Sequence, residues 1–378
     1  MMTHAAARNP RQAAEAYQDL VLPEVSRTFA LTIPQLDPRL RTVIANAYLL
    51  CRIADTIEDE QALPSDVKQQ FHDRFTRVVA STEDPHSFAR DLAPLLHGNT
   101  LAAERDLVAN TASIIAVTDG FNLAQRESLA RCVRTMCTGM PDFERHASTA
   151  GLADLREMDR YCYYVAGIVG QTLTDLFCDY SPRIAERREA MSKLDVSFGQ
   201  GLQMTNILKD FWEDRDRGVC WLPHDLFARA GVRLEDIRRS DIPAAFGRGY
   251  AQLIGIAHSH LRNALEYTLL VPEKETGIRR FCLIALGLAM RTLASILAQP
   301  DFTAGTQVKV SRQVVKKIVI ASRLFAGYSR VLQRWFARLA DGLPLQALAD
   351  DWRGLLPDPR AAWPRSDACG PAHAMPLK

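Results

Sequence analysis

Apolar residues recur at i, i+3, i+4 and i+7 through most of this chain, in segments at 39–59, 66–80, 103–118, 123–140, 152–179, 186–214, 244–268, 278–298, 311–338 and 345–351. That spacing lays one apolar stripe along an α-helix. No stretch alternates apolar and polar residues over the length of a strand. Helix breakers fall between the periodic segments, among them Pro85, Pro182, Gly218, Pro223, Pro243, Pro272 and Pro300. Neither an internal repeat nor a linker divides the series, so the pattern predicts an all-α single domain. Its expected limits are residues 19–353, behind a polar N-terminal segment (1–18) and ahead of a Pro-rich tail (354–378) whose few apolar residues predict disorder.

Residues 281–298 are apolar for about the length that crosses a bilayer. Arg291 interrupts them and Arg279-Arg280 lead in, so a buried core helix is the expectation. An apolar content of 47% in 378 residues supports a sizeable core. The net charge of +2, with no long basic block interleaved with aromatics, speaks against a nucleic-acid partner. Eight cysteines (51, 132, 137, 162, 178, 220, 282 and 369) show no metal-ligand spacing and suggest reduced thiols. The Ala-rich start carries no apolar core of signal-peptide length, and a cytoplasmic protein is expected.

Two acidic clusters break the apolar pattern. In the first, Tyr48, Arg52, Asp55 and Asp59 form a continuous polar stripe at i, i+4, i+7 and i+11, with Glu58 alongside. In the second, Gly199, Gln203, Asn206 and Asp210 repeat that spacing, and Asp214 follows one turn later. Like charges at i, i+4 repel by about 0.2–0.5 kcal/mol. A single such stripe is ordinarily a solvated face, whereas two matched stripes point to a lined cavity that receives cations. Magnesium suits them, because it takes oxygen ligands and is commonly held by a few carboxylates together with substrate phosphates. Opposed acidic helices suit an allylic diphosphate: cations stabilise the departing pyrophosphate while apolar walls keep water from the carbocation. Arg27, Arg52 and Lys209 lie near these motifs in sequence and are candidates for charge-assisted bonds to phosphate.

The segments Ser26-Arg27-Thr28-Phe29-Ala30 and Asn46 to Asp59, Tyr161-Cys162-Tyr163-Tyr164-Val165-Ala166-Gly167, Gln203 to Asp210 and Trp221-Leu222-Pro223 resemble, in that order, the motifs of the squalene/phytoene synthases. The resemblance spans about residues 20–320 and implies the type I isoprenoid synthase helical bundle, with the acidic motifs facing each other across a central cavity. The DTIED pattern at 55–59, Gln171 to Phe177, Phe281-Cys282 and Val308 to Arg312 are similar to the squalene branch.

That likeness implies head-to-head condensation of two farnesyl diphosphates through presqualene diphosphate to squalene, with Mg2+ (or Mn2+) and NADPH. It assigns Asp55, Glu58, Asp59, Asn206, Asp210 and Asp214 to the metals. Ser26, Arg27, Tyr48, Arg52, Lys209 and Gln203 would hold diphosphate, and Lys309 with Arg312 the reduced cofactor. No GxGxxG opens a helix, so a nicotinamide cofactor would share the prenyl cavity.

Tyr161 is the candidate for proton handling or cation stabilisation, against a buried structural tyrosine. Phe29, Val165, Val169, Leu173 and Phe281 are candidates for cavity wall, Gly199 for substrate contact, and Trp212 and Trp221 for packing. Val219 stands where many relatives carry arginine, which leaves Arg217 or Arg215 as substitutes, and Ser311 stands where some carry a basic residue. The polar tail is as expected of a bacterial form. A monomer with peripheral membrane contact for product release is expected. Three alternatives stay open: a family member that stops at presqualene diphosphate or releases dehydrosqualene or phytoene, a non-catalytic assembly protein, and a lipid-binding helical protein.

Overall fold

A computed structural model describes residues 10–97 and 100–348. The principal helices are α1 (Pro10–Val25), α2 (Pro38–Asp59), α3 (Ser65–Val79), α4 (Leu123–His146), α5 (Leu155–Cys162), α6 (Ile168–Tyr180), α7 (Asp195–Lys209), α8 (Phe211–Asp216), α9 (Ala244–Leu270), α10 (Thr276–Ala298), α11 (Arg312–Phe325) and α12 (Ser329–Leu339). Among the described residues there is no strand beyond two isolated bridges, Leu152 with Pro223 and Arg238 with Asp241.

Helix α2 begins where Asp37 accepts the Arg39 N–H and Pro38 occupies the first turn, a position that needs no amide donor. It buries Leu40, Val43, Ile44, Ala47, Leu50, Ile53, Ala54 and Ile57 on one side, which leaves the polar stripe on the other. The boundary at residue 18 falls inside α1, which is tied into the body. The Gln18 side chain donates to the Thr42 carbonyl at 3.0 Å and accepts from Asn46 at 3.1 Å, and Asn46 also donates to Ile114 O and accepts from Thr118. The tail at 354–378 lies outside the described residues.

Several periodic segments resolve into more than one helix. The 103–118 segment breaks at Asn110 into Ala102–Ala109 and Thr111–Thr118, 311–338 breaks around Gly327, and 186–214 breaks at Leu194 and Asp210. The break residues Asn110 and Asp210 keep negative φ, −104° and −97°, and interrupt the helix for one residue only, so the apolar spacing runs on across them. Residues 345–348 of the last predicted helix are non-helical.

The 281–298 stretch is a core helix: α10 buries Phe281, Cys282, Leu283, Ile284, Leu286, Met290 and Leu293 and packs on α7, α9 and α11. Helices α7 and α9 form the most extensive helix pair among the described residues. Cys51, Cys132, Cys137, Cys162, Cys178, Cys220 and Cys282 are free and buried.

Candidate active site

The two acidic motifs end two different helices and are brought face to face. Asp55 and Glu58 lie half-buried on the last turns of α2, and Asp59 closes that helix at the surface. Helix α7 stops at Asp210, whose φ of −97° and ψ of 16° break the helix, and α8 restarts at Phe211 with Asp214 buried. The Arg217 guanidinium spans the gap, donating to Asp59 Oδ1 at 2.7 Å and to Asp214 Oδ1 at 2.5 Å. Of the two substitute arginines, Arg217 therefore stands between the motifs. Arg215 is committed to structure, donating to the carbonyls of Leu234, Glu235 and Ile237.

The carboxylates are electrostatically under-compensated. Burial pushes the Asp55 carboxyl up to about 7, opposed by Arg52 and reinforced by Asp59 and Glu104. Asp214 rises to about 6 for the same first reason, with Arg217 opposing. Glu58 and Asp210 also rise through burial. Removing charged carboxylates from water without full pairing favours their neutral forms, and an arriving cation reverses that bias.

The donors are all hard oxygens, which fits Mg2+ or Mn2+ by chemistry. Among the described residues no three acidic, histidine or cysteine side chains converge on one point. A preformed all-protein cage is thus absent there. The arrangement fits an ion held by one or two carboxylates plus water and phosphate oxygens, as is usual for magnesium.

Basic groups stand beside both motifs. Arg52 donates to the Tyr48 hydroxyl at 3.0 Å and lies 3.9 Å from Asp55 and 3.8 Å from Glu104. The Tyr48 hydroxyl in turn donates to Val25 O. Glu104, which the sequence did not single out, is therefore a second counter-charge for Arg52. Lys209 Nζ pairs with Asp210 at 3.0 Å, and Arg27 is exposed. Ser26 uses its hydroxyl to accept the Phe29 N–H, which fixes the turn carrying Arg27. The Phe29 ring lies 4.8 Å from Tyr48 and 6.4 Å from Phe281, which contacts Phe177, so this side of the site is aromatic. Asn206 is exposed and Gln203 half-buried on α7.

Tyr161 is buried at the end of α5, stacked on Trp221 at 4.1 Å with 10° between the rings and edge-on to Phe143. Its phenol is held well above the usual value by burial first, then by the charges of Glu58, Asp214 and Asp59. One side chain thus feels both acidic motifs, and Trp221 forms its platform. Trp212 is a packing residue that donates to Phe302 O at 2.7 Å.

Two residues after Tyr161 the chain begins a π-helical turn, Tyr163–Gly167, that no apolar period could announce. It is clamped by two glycines. A Cβ at Gly139 would lie 2.1 Å from the Tyr164 ring, and one at Gly199 would lie 2.1 Å from Ala166 O. Gly199 is accordingly buried against backbone, and its role is close approach of α7 to the π turn. Val165 and Val169 are half-buried, packed against both apolar clusters of the core, and Leu173 is buried in the larger one.

The loop before α11 leans on the second motif, with Gly305 N–H donating to Glu213 at 2.8 Å and Arg239 holding Thr303 O. Lys309 and Arg312 follow it and are exposed, while the Ser311 hydroxyl caps α11 by accepting the Val314 N–H.

Residues 22–314 match the family model described as squalene/phytoene synthase. The squalene synthase ERG9 of Candida albicans is 27% identical over 337 residues, 86% of this chain and 71% of that protein. Squalene synthase 1 of Arabidopsis thaliana is 27% identical over 310 residues, 81% of this chain and 70% of that protein. The solved complex of TcSQS with the ligand BPH1237 superposes with a TM-score of 0.69 at 22% identity, covering 91% of this chain and 95% of that one. A dehydrosqualene synthase in complex with ligand gives 0.60 at 21% identity, covering 84% and 99%.

Proposed function

The chain belongs to the squalene/phytoene synthase family and is a prenyltransferase, and from that premise we propose that it is a squalene synthase, joining two farnesyl diphosphates through presqualene diphosphate with Mg2+ and NADPH. The observation that carries this is the facing of the two acidic motifs, with Arg217 spanning Asp59 and Asp214. Opposed carboxylates on separate helices with cations close by suit the ionisation of a diphosphate, and both are present.

Asp55, Glu58, Asp59, Asn206, Asp210 and Asp214 would hold the divalent ions, which supply positive charge against the departing pyrophosphate. Arg27, Arg52, Arg217 and Lys209 would bind diphosphate oxygens, with Tyr48 and Gln203 orienting them. Phe29, Phe281, Val165, Val169 and Leu173 exclude water from the isoprenoid chains. Tyr161 would relay the proton lost on cyclopropane formation, taking it at its phenol oxygen as its own O–H proton passes to the released pyrophosphate, and its ring face would lie against positive charge. Lys309 and Arg312, exposed just past the loop seated on α8, would pair with the phosphates of NADPH, whose hydride the reductive half-reaction requires.

The test is incubation with farnesyl diphosphate and Mg2+, with and without NADPH, followed by identification of products. Presqualene diphosphate without NADPH and squalene with it are expected. Dehydrosqualene in both cases would leave family membership standing and overturn this product.

A further inference from the structure

From Gln313 to Ala340 the chain carries six Lys or Arg and no Asp or Glu, although the whole protein has a net charge of only +2. This tract contains α12 and all of α11 but its first residue. Ile318 from α11 and Trp335 from α12 both abut Gly287 of α10, so the two helices lie side by side over α10 and turn their other faces outward. The outward stripe of α11 is Lys316, Lys317, Ile320, Arg323 and Leu324, all exposed. Ile320 is 56% and Leu324 61% exposed, and Tyr328 between the helices is 63% exposed. Arg330, Arg334 and Arg338 continue the exposed cations along α12. None of these cations pairs with an acidic side chain among the described residues.

Large apolar side chains flanked by unpaired cations on a helix that lies flat against the protein have the makeup of a helix at a charged lipid interface. Aliphatic side chains penetrate the headgroup boundary while lysines and arginines meet anionic headgroups. Nucleic acid would use the cations and leave Ile320 and Leu324 in water. We infer that the α11–α12 face docks this protein on the surface of an anionic bilayer. The inference stands on charge and exposure and is independent of which product the enzyme makes. Lys309 and Arg312, held for the nucleotide, play no part in it.

The test is co-sedimentation of the full chain with vesicles of phosphatidylcholine alone or mixed with phosphatidylglycerol. Binding to the mixed vesicles only, weakened by salt, is expected. Lys316→Ala with Lys317→Ala should weaken it about 25-fold, at about fivefold per cation. Ile320→Ser with Leu324→Ser should weaken it further, with turnover of farnesyl diphosphate in detergent unchanged. Equal binding to neutral vesicles, no vesicle binding, or variants that bind like the parent would each overturn the inference. So would competition by a short RNA with wild-type affinity retained in Ile320→Ser/Leu324→Ser, or a dimer in sedimentation that this variant dissociates.

Discussion

Asp55 and Asp210 are charges that the fold buries at a cost and that we propose as ligands of the metal. Both are pushed toward their neutral forms by burial. Asp55→Asn and Asp210→Asn should therefore retain or slightly raise the melting temperature, while turnover at saturating Mg2+ falls by at least about 10²-fold because an amide holds magnesium poorly. Near-normal rates in both variants would remove the two-helix metal site. Tyr161→Phe keeps the stack on Trp221 and removes only the hydroxyl. Presqualene diphosphate formation should then drop by roughly 10²-fold, the usual scale for a general acid–base group, and unchanged first-half kinetics would make Tyr161 structural. At this scale the acid stripes and Tyr161 were legible because their chemistry stands out against an apolar helix. Glu104 was not, since it reaches Arg52 from a distant segment. Nor could spacing choose between Arg217 and Arg215, whose roles are set by where α8 ends.

The π turn at Tyr163–Gly167 is the element on which the site's geometry rests. It begins two residues after Tyr161 and is held between α4 and α7 at Gly139 and Gly199. Gly199→Ala would drive a Cβ into the Ala166 carbonyl, which is backbone and yields little. Destabilisation of about 1–3 kcal/mol is expected, the scale of overpacking in a tight core, read as a lower urea midpoint together with a loss of activity larger than the stability loss explains. A variant as stable and active as the parent would show that the helices can spread. Single long helices such as α2, α9 and α10 were legible in the sequence because nothing disturbs their apolar phase. The breaks at Asn110 and Asp210 were hidden because each is a single residue inside a continuous apolar run, and the π turn because its i+5 spacing leaves no signature in so short a segment.

Across the whole molecule, burial of ionisable groups sets the response to acid. His72 and His260 are both buried and held down to about 3, by desolvation in each case and additionally by Lys68 for His72. The folded state keeps them neutral while the unfolded chain protonates them near 6.5, so the unfolded state binds more protons between about pH 6.5 and 3. Their contribution to stability is present above 6.5 and is lost as pH falls through that window, at about 1.4 kcal/mol per pH unit for each. Urea midpoints of the parent and of His72→Gln, measured from pH 7 to 5, should converge as pH falls, and parallel curves would refute the assignment. The all-α class was legible at this scale from periodicity alone, but the Arg217–Asp59 contact was not, because it joins positions 158 residues apart. That contact also makes Arg217 a rival for the ligand of the two acids it joins. Arg217 already occupies two of the acids that a metal–diphosphate complex would claim, so each binding event must first unfasten a latch. The melting temperature gained on binding pyrophosphate with Mg2+ then reports the difference between two closures, the new one less the one it replaces.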